Sequence, residues 1–232
     1  MPEFYTPHGI RLMQETDPLH TLDDAFNTSM KRVDDLLTNA MQKEFVNTLR
    51  PGDEIVDNFM RGTTSDLGTT LTGQAWTSTG SPSIVNNALQ NNPSSGAVCL
   101  ATVPTVSTNY EITADLTAIG GAGHGVVFGY AGPSNFNMCI IEGTANIRFY
   151  QVVNGTTSMV KERSDFAWAQ GPNHTFRVVK TNDLLRVTLD GEFLFRADIT
   201  ANSKNRRVGV RLIGNATTPA THRCRYFKSQ IR

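Results

Sequence analysis

The sequence has no long apolar run, no excess of one charge and few cysteines. No stretch approaches the roughly 18 apolar residues that cross a bilayer, so we predict no membrane insertion. Lysine plus arginine equals aspartate plus glutamate at 21 each, and this balance excludes a general attraction to nucleic acid. The three cysteines, Cys99, Cys139 and Cys224, lack metal-ligand spacing. They are expected to be buried free thiols, and we predict no metal site and no cofactor.

The first residues, MPEFYTPHGIRLMQ, contain no basic segment followed by an apolar one. They therefore do not have the pattern of a secretory signal peptide. Together with the free cysteines, this predicts synthesis in a reducing compartment.

Residues 1–18 are punctuated by Pro2, Pro7 and Gly9 and are predicted to form an extended arm. A helix is predicted over residues 19–50, where Asp23 and Asp24 suit the positive end of the helix dipole. Its apolar residues follow a heptad seam: Phe26, Met30, Val33, Leu37 and Ala40. This seam fits packing on the chain's own domain or on copies of the same helix, and its narrowness favours copies. So few layers do not distinguish a dimer from a trimer.

After residue 53 the apolar pattern changes to a period of two. Tyr110, Ile112, Ala114 and Leu116 alternate with polar residues, which predicts a half-buried strand. The pairs Asn154-Gly155, Asn182-Asp183 and Asp190-Gly191 are typical of hairpin turns between strands. Many short strands and no further helical pattern predict a mainly β fold, an antiparallel two-sheet sandwich of jelly-roll type over residues 55–232.

The segment DNFMRGTTSDLGTTLTGQAW, residues 57–76, places three apolar side chains among glycines and threonines. We expect Phe59, Leu67 and Trp76 to anchor an irregular first segment to the sandwich, and Gly68 and Gly73 to permit turns. We also expect an ion pair between Asp57 and Arg61.

This segment resembles the opening of concanavalin A-like (laminin-G-like) jelly-roll domains found in bacteriophage tail proteins. The resemblance continues through YEITADLT, HTFRVVKTNDLLRVTLDGEFLF and RRVGVRLIGNATTPATHRCRYF, and it covers most of residues 55–232. The resemblance depends on the order of these motifs rather than on any one motif.

The N-terminal residues FYTPHGIRLMQETDPLHTLDDAFNTSMKRVDDLL resemble the leading arms of phage minor tail, fibre and head-fibre proteins. The resemblance implies a virion location, assembly in the bacterial cytoplasm and docking to other virion proteins through residues 1–50. It also favours a homotrimer, with the predicted helix as a coiled-coil stem.

The carboxylates could indicate glycoside hydrolysis, because laminarinase-type glycosidases share the jelly roll. Retaining hydrolysis needs two carboxyl groups about 5 Å apart. Glu111 and Asp115 lie four residues apart on one predicted strand, about 13 Å at the usual rise. Asp190 and Glu192 flank a turn. We interpret all four as solvated exterior carboxylates and predict no enzymatic activity.

Two sequence features are interpreted as structural. The glycine-rich GGAGHGVVFG precedes a strand rather than a helix, which indicates a strand start or a close contact in a sheet rather than a phosphate loop. The basic C-terminal segment, residues 204–232, has the charge to attract anionic wall polymers or acidic partner subunits. The favoured interpretation is structural: Arg223 and Arg225 alternate with Cys224 and Tyr226, which predicts that the arginines lie on the solvent side of a strand.

Glycan binding would need exposed aromatic rings with nearby polar groups. Trp168 in a polar loop is the first candidate, Tyr130 with Asn135 is the second, and Arg148 with Tyr150, two apart on one strand, is the third. The alternative for each is an ordinary rim or core contact. No dense Asp/Asn loop is present to predict calcium.

Together with these resemblances, the sequence favours a non-enzymatic structural protein of a phage virion, and its sandwich head is a candidate for binding host-surface polysaccharide. The alternatives are a stand-alone carbohydrate-binding module and, less favoured, a glycosidase.

Overall fold

The structure is a computed structural model and describes most of the chain after residue 52. The predicted arm, the predicted helix with its apolar seam, and Trp168 lie outside the described residues. The described ranges are 53–91, 98–117, 123–143, 145–166, 171–213 and 223–232.

Within these ranges the chain forms fifteen β-strands. Their bounds are β1 Glu54–Asp57, β2 Thr77–Thr79, β3 Pro82–Ile84, β4 Leu89–Asn91, β5 Val98–Pro104, β6 Tyr110–Thr117, β7 His124–Gly132, β8 Asn135–Glu142, β9 Asn146–Val153, β10 Thr156–Arg163, β11 Asn173–Thr181, β12 Leu184–Leu189, β13 Glu192–Asp198, β14 Arg207–Ile213 and β15 Arg223–Ile231. The part of the chain that the structure describes contains no helix with the length and apolarity needed to cross a membrane.

The strands form two antiparallel sheets that pack face to face. The eight-stranded sheet has the order β13-β12-β11-β6-β15-β4-β3, with β1 also paired to β15. The seven-stranded sheet has the order β10-β9-β8-β7-β14-β5-β2. The predicted mainly β, two-sheet antiparallel sandwich is confirmed for the described residues.

The core lies between the sheets and follows the period of two in each strand. On β6, Tyr110, Ile112, Ala114 and Leu116 are all buried in it, as the alternation predicts. The three cysteines are buried free thiols, also as predicted. Burial of each large apolar side chain contributes about 1.5–3 kcal/mol to folding.

The three predicted hairpin turns are confirmed. Asn154 and Gly155 have positive φ angles of 50° and 81°, and Asp190 and Gly191 have 51° and 84°. Asn182, at 54°, begins the turn between β11 and β12. Two consecutive left-handed residues match the right-handed twist of the flanking strands, which explains the Asn-Gly and Asp-Gly pairs.

The segment 57–76 is fastened by one buried carboxylate. Asp57 is fully buried, and it accepts hydrogen bonds from Phe59 N at 2.8 Å and from Trp76 Nε1 at 2.7 Å. Arg61 donates to both its oxygens, at 3.0 and 2.8 Å. The indole of Trp76 packs between the rings of Phe59 and Phe227, with centroids 5.8 and 5.4 Å away. The predicted ion pair is confirmed.

The other anchors and turns of this segment also lie as predicted. Leu67 is buried in the core, and Gly68 and Gly73 have positive φ angles of 58° and 90°.

The predicted alternation fails near the start of β15. A register shift between Cys224 and Tyr226 inserts an extra residue against β6. Cys224 is buried and Arg225 is exposed, as expected, but Tyr226 is only partly buried. The bulge re-aims the side chain of Tyr226, so that it lies opposite Asp115 on the outer side of the sheet.

Candidate functional site

The outer faces of the two sheets differ in chemistry. The outer face of the eight-stranded sheet carries ion pairs, among them Arg177 with Glu111 at 2.6 Å and Lys228 with Glu54. The outer face of the seven-stranded sheet carries a second buried apolar cluster, which we call the apolar face: Leu100, Val127, Phe136, Met138, Ile140 and Val152. These six side chains are only 0–7% exposed. The candidate functional surface is therefore the border of the apolar face, where tyrosine and arginine side chains are partly exposed.

Strand β8 supplies the middle of the apolar face. Its residues are buried from Phe136 to Ile141 on both sides of the sheet. Cys139 and Ile141 point into the core, whereas Met138 and Ile140 point outwards. The continuous apolar run, rather than an alternating one, is what a strand covered on both faces requires.

Two glycines leave positions on this face without side chains. A Cβ atom on Gly125 would overlap the carbonyl oxygen of Cys139, and one on Gly209 would overlap that of Ala101. Both positions therefore lack outward side chains, because neighbouring strands approach too closely. The sequence-based prediction that the segment GGAGHGVVFG makes a close sheet contact is confirmed at Gly125.

Arg148 and Tyr150 meet at one side of the apolar face, as their spacing predicts. Arg148 donates to Glu162 Oε1 at 2.7 Å and to Glu142 Oε2 at 2.6 Å. Tyr150 donates its hydroxyl to the same Glu142 oxygen at 3.1 Å. The hydrogen bonds to Glu162 and Glu142 raise the pKa of Arg148, and burial with the nearby Glu142 raises the pKa of Tyr150. Tyr150 also packs on the apolar cluster.

Tyr130 lies at another part of the same face. Its ring packs against Phe136, with centroids 6.0 Å apart, and burial raises the pKa of its hydroxyl. Asn135, its predicted partner, instead accepts a hydrogen bond from Asn154 N at 3.0 Å. That bond ties Asn135 to the β9–β10 turn.

Two arginines that the sequence analysis did not select join this face from β14. Arg207 donates to Thr102 O at 3.1 Å and to the hydroxyl of Thr77, and Arg211 donates to Gly123 O. Burial lowers the pKa of both guanidinium groups. The available signal was the alternation in RRVGVRLIG, which places Arg207, Gly209 and Arg211 on one side of the strand.

The carboxylates considered for catalysis are held by other groups. Glu111 is only 7% exposed, and Arg177 binds both its oxygens at 2.6 and 2.8 Å, with Arg232 as a further partner. The prediction that Glu111 is solvated is therefore wrong, because β11 brings Arg177 alongside it. Asp115 accepts a hydrogen bond from Thr175 at 2.8 Å.

The two carboxylates beside the hairpin turn are also paired. Asp190 lies 2.6 Å from His174 Nδ1, and Glu192 pairs with Arg163 at 3.2 Å. Among the described residues, no group of three His, Cys, Asp or Glu side chains is arranged to hold a metal ion.

A surface pocket of about 580 Å³ lies elsewhere, beside the β11–β12 turn. Its lining includes Asp183 and Asp198 but no aromatic ring. Without an apolar platform it is a weaker candidate than the border of the apolar face for binding a sugar.

In sequence, the chain matches no family profile and no curated protein. In structure it is similar to the metal-free form of the Emp46p carbohydrate recognition domain, with a TM-score of 0.56, 14% identity, and coverage of 78% of this chain and 97% of that one. It is also similar to the carbohydrate-binding module CBM66 from Bacillus subtilis, with a TM-score of 0.53, 13% identity, and coverage of 67% and 92%.

A third similar structure is the GH43 protein BlXynB from Bacillus licheniformis, with a TM-score of 0.52 and 13% identity. The match covers 76% of this chain but only 39% of that protein. At these identities the similarities establish the two-sheet sandwich fold and leave the activity to be argued from the residues themselves.

Proposed function

We propose that the sandwich is a non-enzymatic glycan-binding domain that binds sugar at the border of the apolar face of its seven-stranded sheet, where Tyr130 and Tyr150 are partly exposed. The observation that carries this proposal is the difference between the two outer faces. One is polar and ion-paired, whereas the other combines apolar side chains, two tyrosines and three arginines around two glycines. A sugar ring packs its C–H face on a partly exposed tyrosine ring while its hydroxyls bond to guanidinium and carboxylate groups.

The fold supports the proposal by analogy, because two of the similar structures are a carbohydrate recognition domain and a carbohydrate-binding module. Tyr150, at one side of the face, is the aromatic residue on which the proposal depends most, since it contacts both the apolar cluster and the Arg148–Glu142 pair. Tyr130 extends the platform. Trp168 remains a predicted contributor.

A glycan array probed with the full chain tests this proposal. Binding is expected, and Tyr150→Ala should weaken it by about tenfold or more, because an aromatic platform contributes roughly 1–3 kcal/mol on burial. Tyr226→Ala is the matched control, since Tyr226 is a partly buried tyrosine on the outer face of the other sheet. Equal loss in both variants, or no binding by the full chain to any host-wall polysaccharide, would remove the proposal.

The second part of the proposal is that the protein is a virion appendage subunit. The resemblance of its N-terminal residues to phage tail and fibre arms supports docking through residues 1–50, oligomerisation through the predicted helix and a location on the virion. A stand-alone carbohydrate-binding module is the alternative that would use the same face without a docking arm.

Light scattering of the full chain distinguishes these two roles. A homotrimer is expected, and the double substitution Val33→Glu with Leu37→Glu should give a monomer, because charges in a heptad seam repel and are costly to bury. Asp34→Lys, off the seam, is the control and should keep the oligomer. A monomeric full chain contradicts the appendage role but leaves glycan binding intact.

A further inference from the structure

We infer that the outer face of the β9–β10 hairpin is the sugar subsite and that it binds an uncharged glycan, with Met159 beside Tyr150 as a second apolar contact. This inference rests on the proposed function and adds the position of the subsite and the chemical class of the sugar. We call the group formed by Glu142, Arg148, Tyr150, Met159 and Glu162 the hairpin site.

The register of the hairpin places an exposed apolar side chain next to Tyr150. Met159 lies directly opposite Tyr150 in the β9–β10 pairing, so the two side chains share the outer face, with their Cβ atoms about 4.5–5.5 Å apart. Met159 is 53% exposed and Tyr150 is partly exposed. Unlike the buried apolar cluster beside them, this pair is open to a ligand. The flexible thioether and the ring together form a platform for the C–H face of a sugar.

A β-bulge determines the charged part of the hairpin site. The register shifts between Met159 and Lys161, which makes Val160 an extra residue. As a result, Glu162 lies opposite Arg148. Regular pairing after Met159 would instead place Lys161 opposite Arg148, and two like charges in that position are destabilising. The bulge therefore puts a carboxylate on the outer face, and bulges commonly re-aim a side chain in this way beside functional sites.

The carboxylates of the hairpin site can accept hydrogen bonds from sugar hydroxyls. The Arg148 guanidinium binds Glu142 and Glu162 at 2.6 and 2.7 Å, yet the two glutamate side chains are still 34% and 29% exposed. A carboxylate has about four lone-pair sites, so each glutamate can accept further donors from a ligand. The hydroxyls of a sugar lying on Tyr150 and Met159 would supply these donors.

The balance of charge determines the class of glycan. Glu142 and Glu162 carry two negative charges, and Arg148 carries one positive charge. Arg211 lies close enough to Glu142 for the two charges to interact, which makes the total two against two. An acidic sugar would therefore meet two carboxylates and, among the described residues of the site, no surplus of positive charge. An uncharged sugar avoids this repulsion and needs no counter-ion.

Isothermal titration calorimetry of the full chain with four soluble polysaccharides tests the class of sugar. Laminarin, mannan and fully methyl-esterified polygalacturonate are the uncharged probes, and polygalacturonate is the anionic one. At least one uncharged probe should bind, and polygalacturonate should bind at least about tenfold more weakly than the best of them, because like charges oppose each other in the site.

The substitution Met159→Ala tests the platform. It should weaken binding of the best uncharged probe about fivefold, because part of the apolar contact area is lost. Met60→Ala is the matched control, since Met60 is 70% exposed and lies outside the hairpin. It should leave the affinity unchanged.

The paired exchange Lys161→Glu with Glu162→Lys tests the charged part of the site. It keeps the net charge of the chain but places a lysine opposite Arg148. Binding of the uncharged probe should be lost, and binding of polygalacturonate should increase by about tenfold, because the site then has a surplus of positive charge. Circular dichroism checks that the exchanged chain, altered only on an edge strand, keeps the fold.

The outcomes separate this inference from the proposal beneath it. Binding restricted to acidic glycans, or polygalacturonate binding as tightly as the best uncharged probe, would overturn the class of sugar and leave glycan binding in place. Uncharged-probe binding that falls in Tyr150→Ala but is unaffected by Met159→Ala and by the paired exchange would reject the hairpin site alone. No binding to any polymer or to any glycan on the array would reject both.

Discussion

The substitution Asp57→Ala tests whether one carboxylate fastens the start of the sandwich. Asp57 is fully buried and accepts four hydrogen bonds, from Phe59 N, Trp76 Nε1 and two nitrogens of Arg61. Alanine would leave the Arg61 guanidinium without its counter-ion and two N–H groups without an acceptor.

The size of this loss follows from the contacts. Removing one partner of a buried charge pair costs about 3–5 kcal/mol, and Arg61, whose side chain is 27% exposed, places the pair at the lower end. Each buried donor left unpaired adds about 1–3 kcal/mol, without full additivity. We therefore expect the free energy of unfolding to fall by about 4 kcal/mol. The melting temperature of a domain of this size should fall by roughly 8–16 °C.

Urea unfolding followed by circular dichroism measures this change. Asp66→Ala is the matched control in the same segment, since among the described residues exposed Asp66 accepts a single hydrogen bond, from Gly68 N at 2.9 Å. It should cost less than about 1 kcal/mol. Adding Arg61→Met completes a double-mutant cycle with an expected coupling of about 2 kcal/mol. A coupling near zero, or equal losses for the two aspartates, would refute the reasoning.

Three further predictions follow from other parts of the sandwich. Burial raises the pKa of Cys99 to about 12 and also raises those of the other two thiols, so Ellman's reagent at pH 8 should detect no thiol in the folded domain and all three after unfolding. Burial lowers the pKa of Lys180 from 10.5, so the unfolded chain binds this proton more tightly than the folded one. The stability of the wild type, measured by urea unfolding, should therefore rise relative to that of Lys180→Met as the pH approaches 10.5. A stability difference that stays constant with pH would contradict this. Gly209→Ala should lower the free energy of unfolding by more than about 2 kcal/mol in the same assay because its Cβ would overlap a backbone oxygen, whereas Gly132→Ala, with open space, should change it little.

The local features of the fold were predictable from sequence because local chemistry decides them. Asn154-Gly155 and Asp190-Gly191 mark turns since few other residues accept a positive φ angle. Trp76 was predictable as an anchor because a large aromatic ring in a segment of glycines and threonines stabilises the fold when it is buried. The antiparallel sandwich then follows from the period of two along the strands.

The features that depend on distant residues were not predictable in this way. Glu111 is buried because Arg177, 66 residues later, lies alongside it. The Tyr226 bulge depends on the register between β15 and β6, which no local motif specifies.

The candidate site was only half visible from sequence. Arg148 and Tyr150 were found because they share one strand and carry a ring and a charge. Arg207 and Arg211 were missed, because alternation shows that they share a face but not which of the two outer faces it is. Only the pairing of β14 with β7 and β5 places them beside the apolar cluster.

Pairing between β1 and β15 brings the start and the end of the sandwich's backbone side by side. Ile231 N donates a hydrogen bond to Asp53 O at 3.0 Å, so the first described strand begins where the last one ends. A short linker could join residue 232 to residue 53, with new chain ends opened at Asn154-Gly155. The resulting circular permutant would retain every strand pairing and lose only the covalent link of that hairpin. A reporter fused after residue 232 would likewise emerge beside the point where the chain enters.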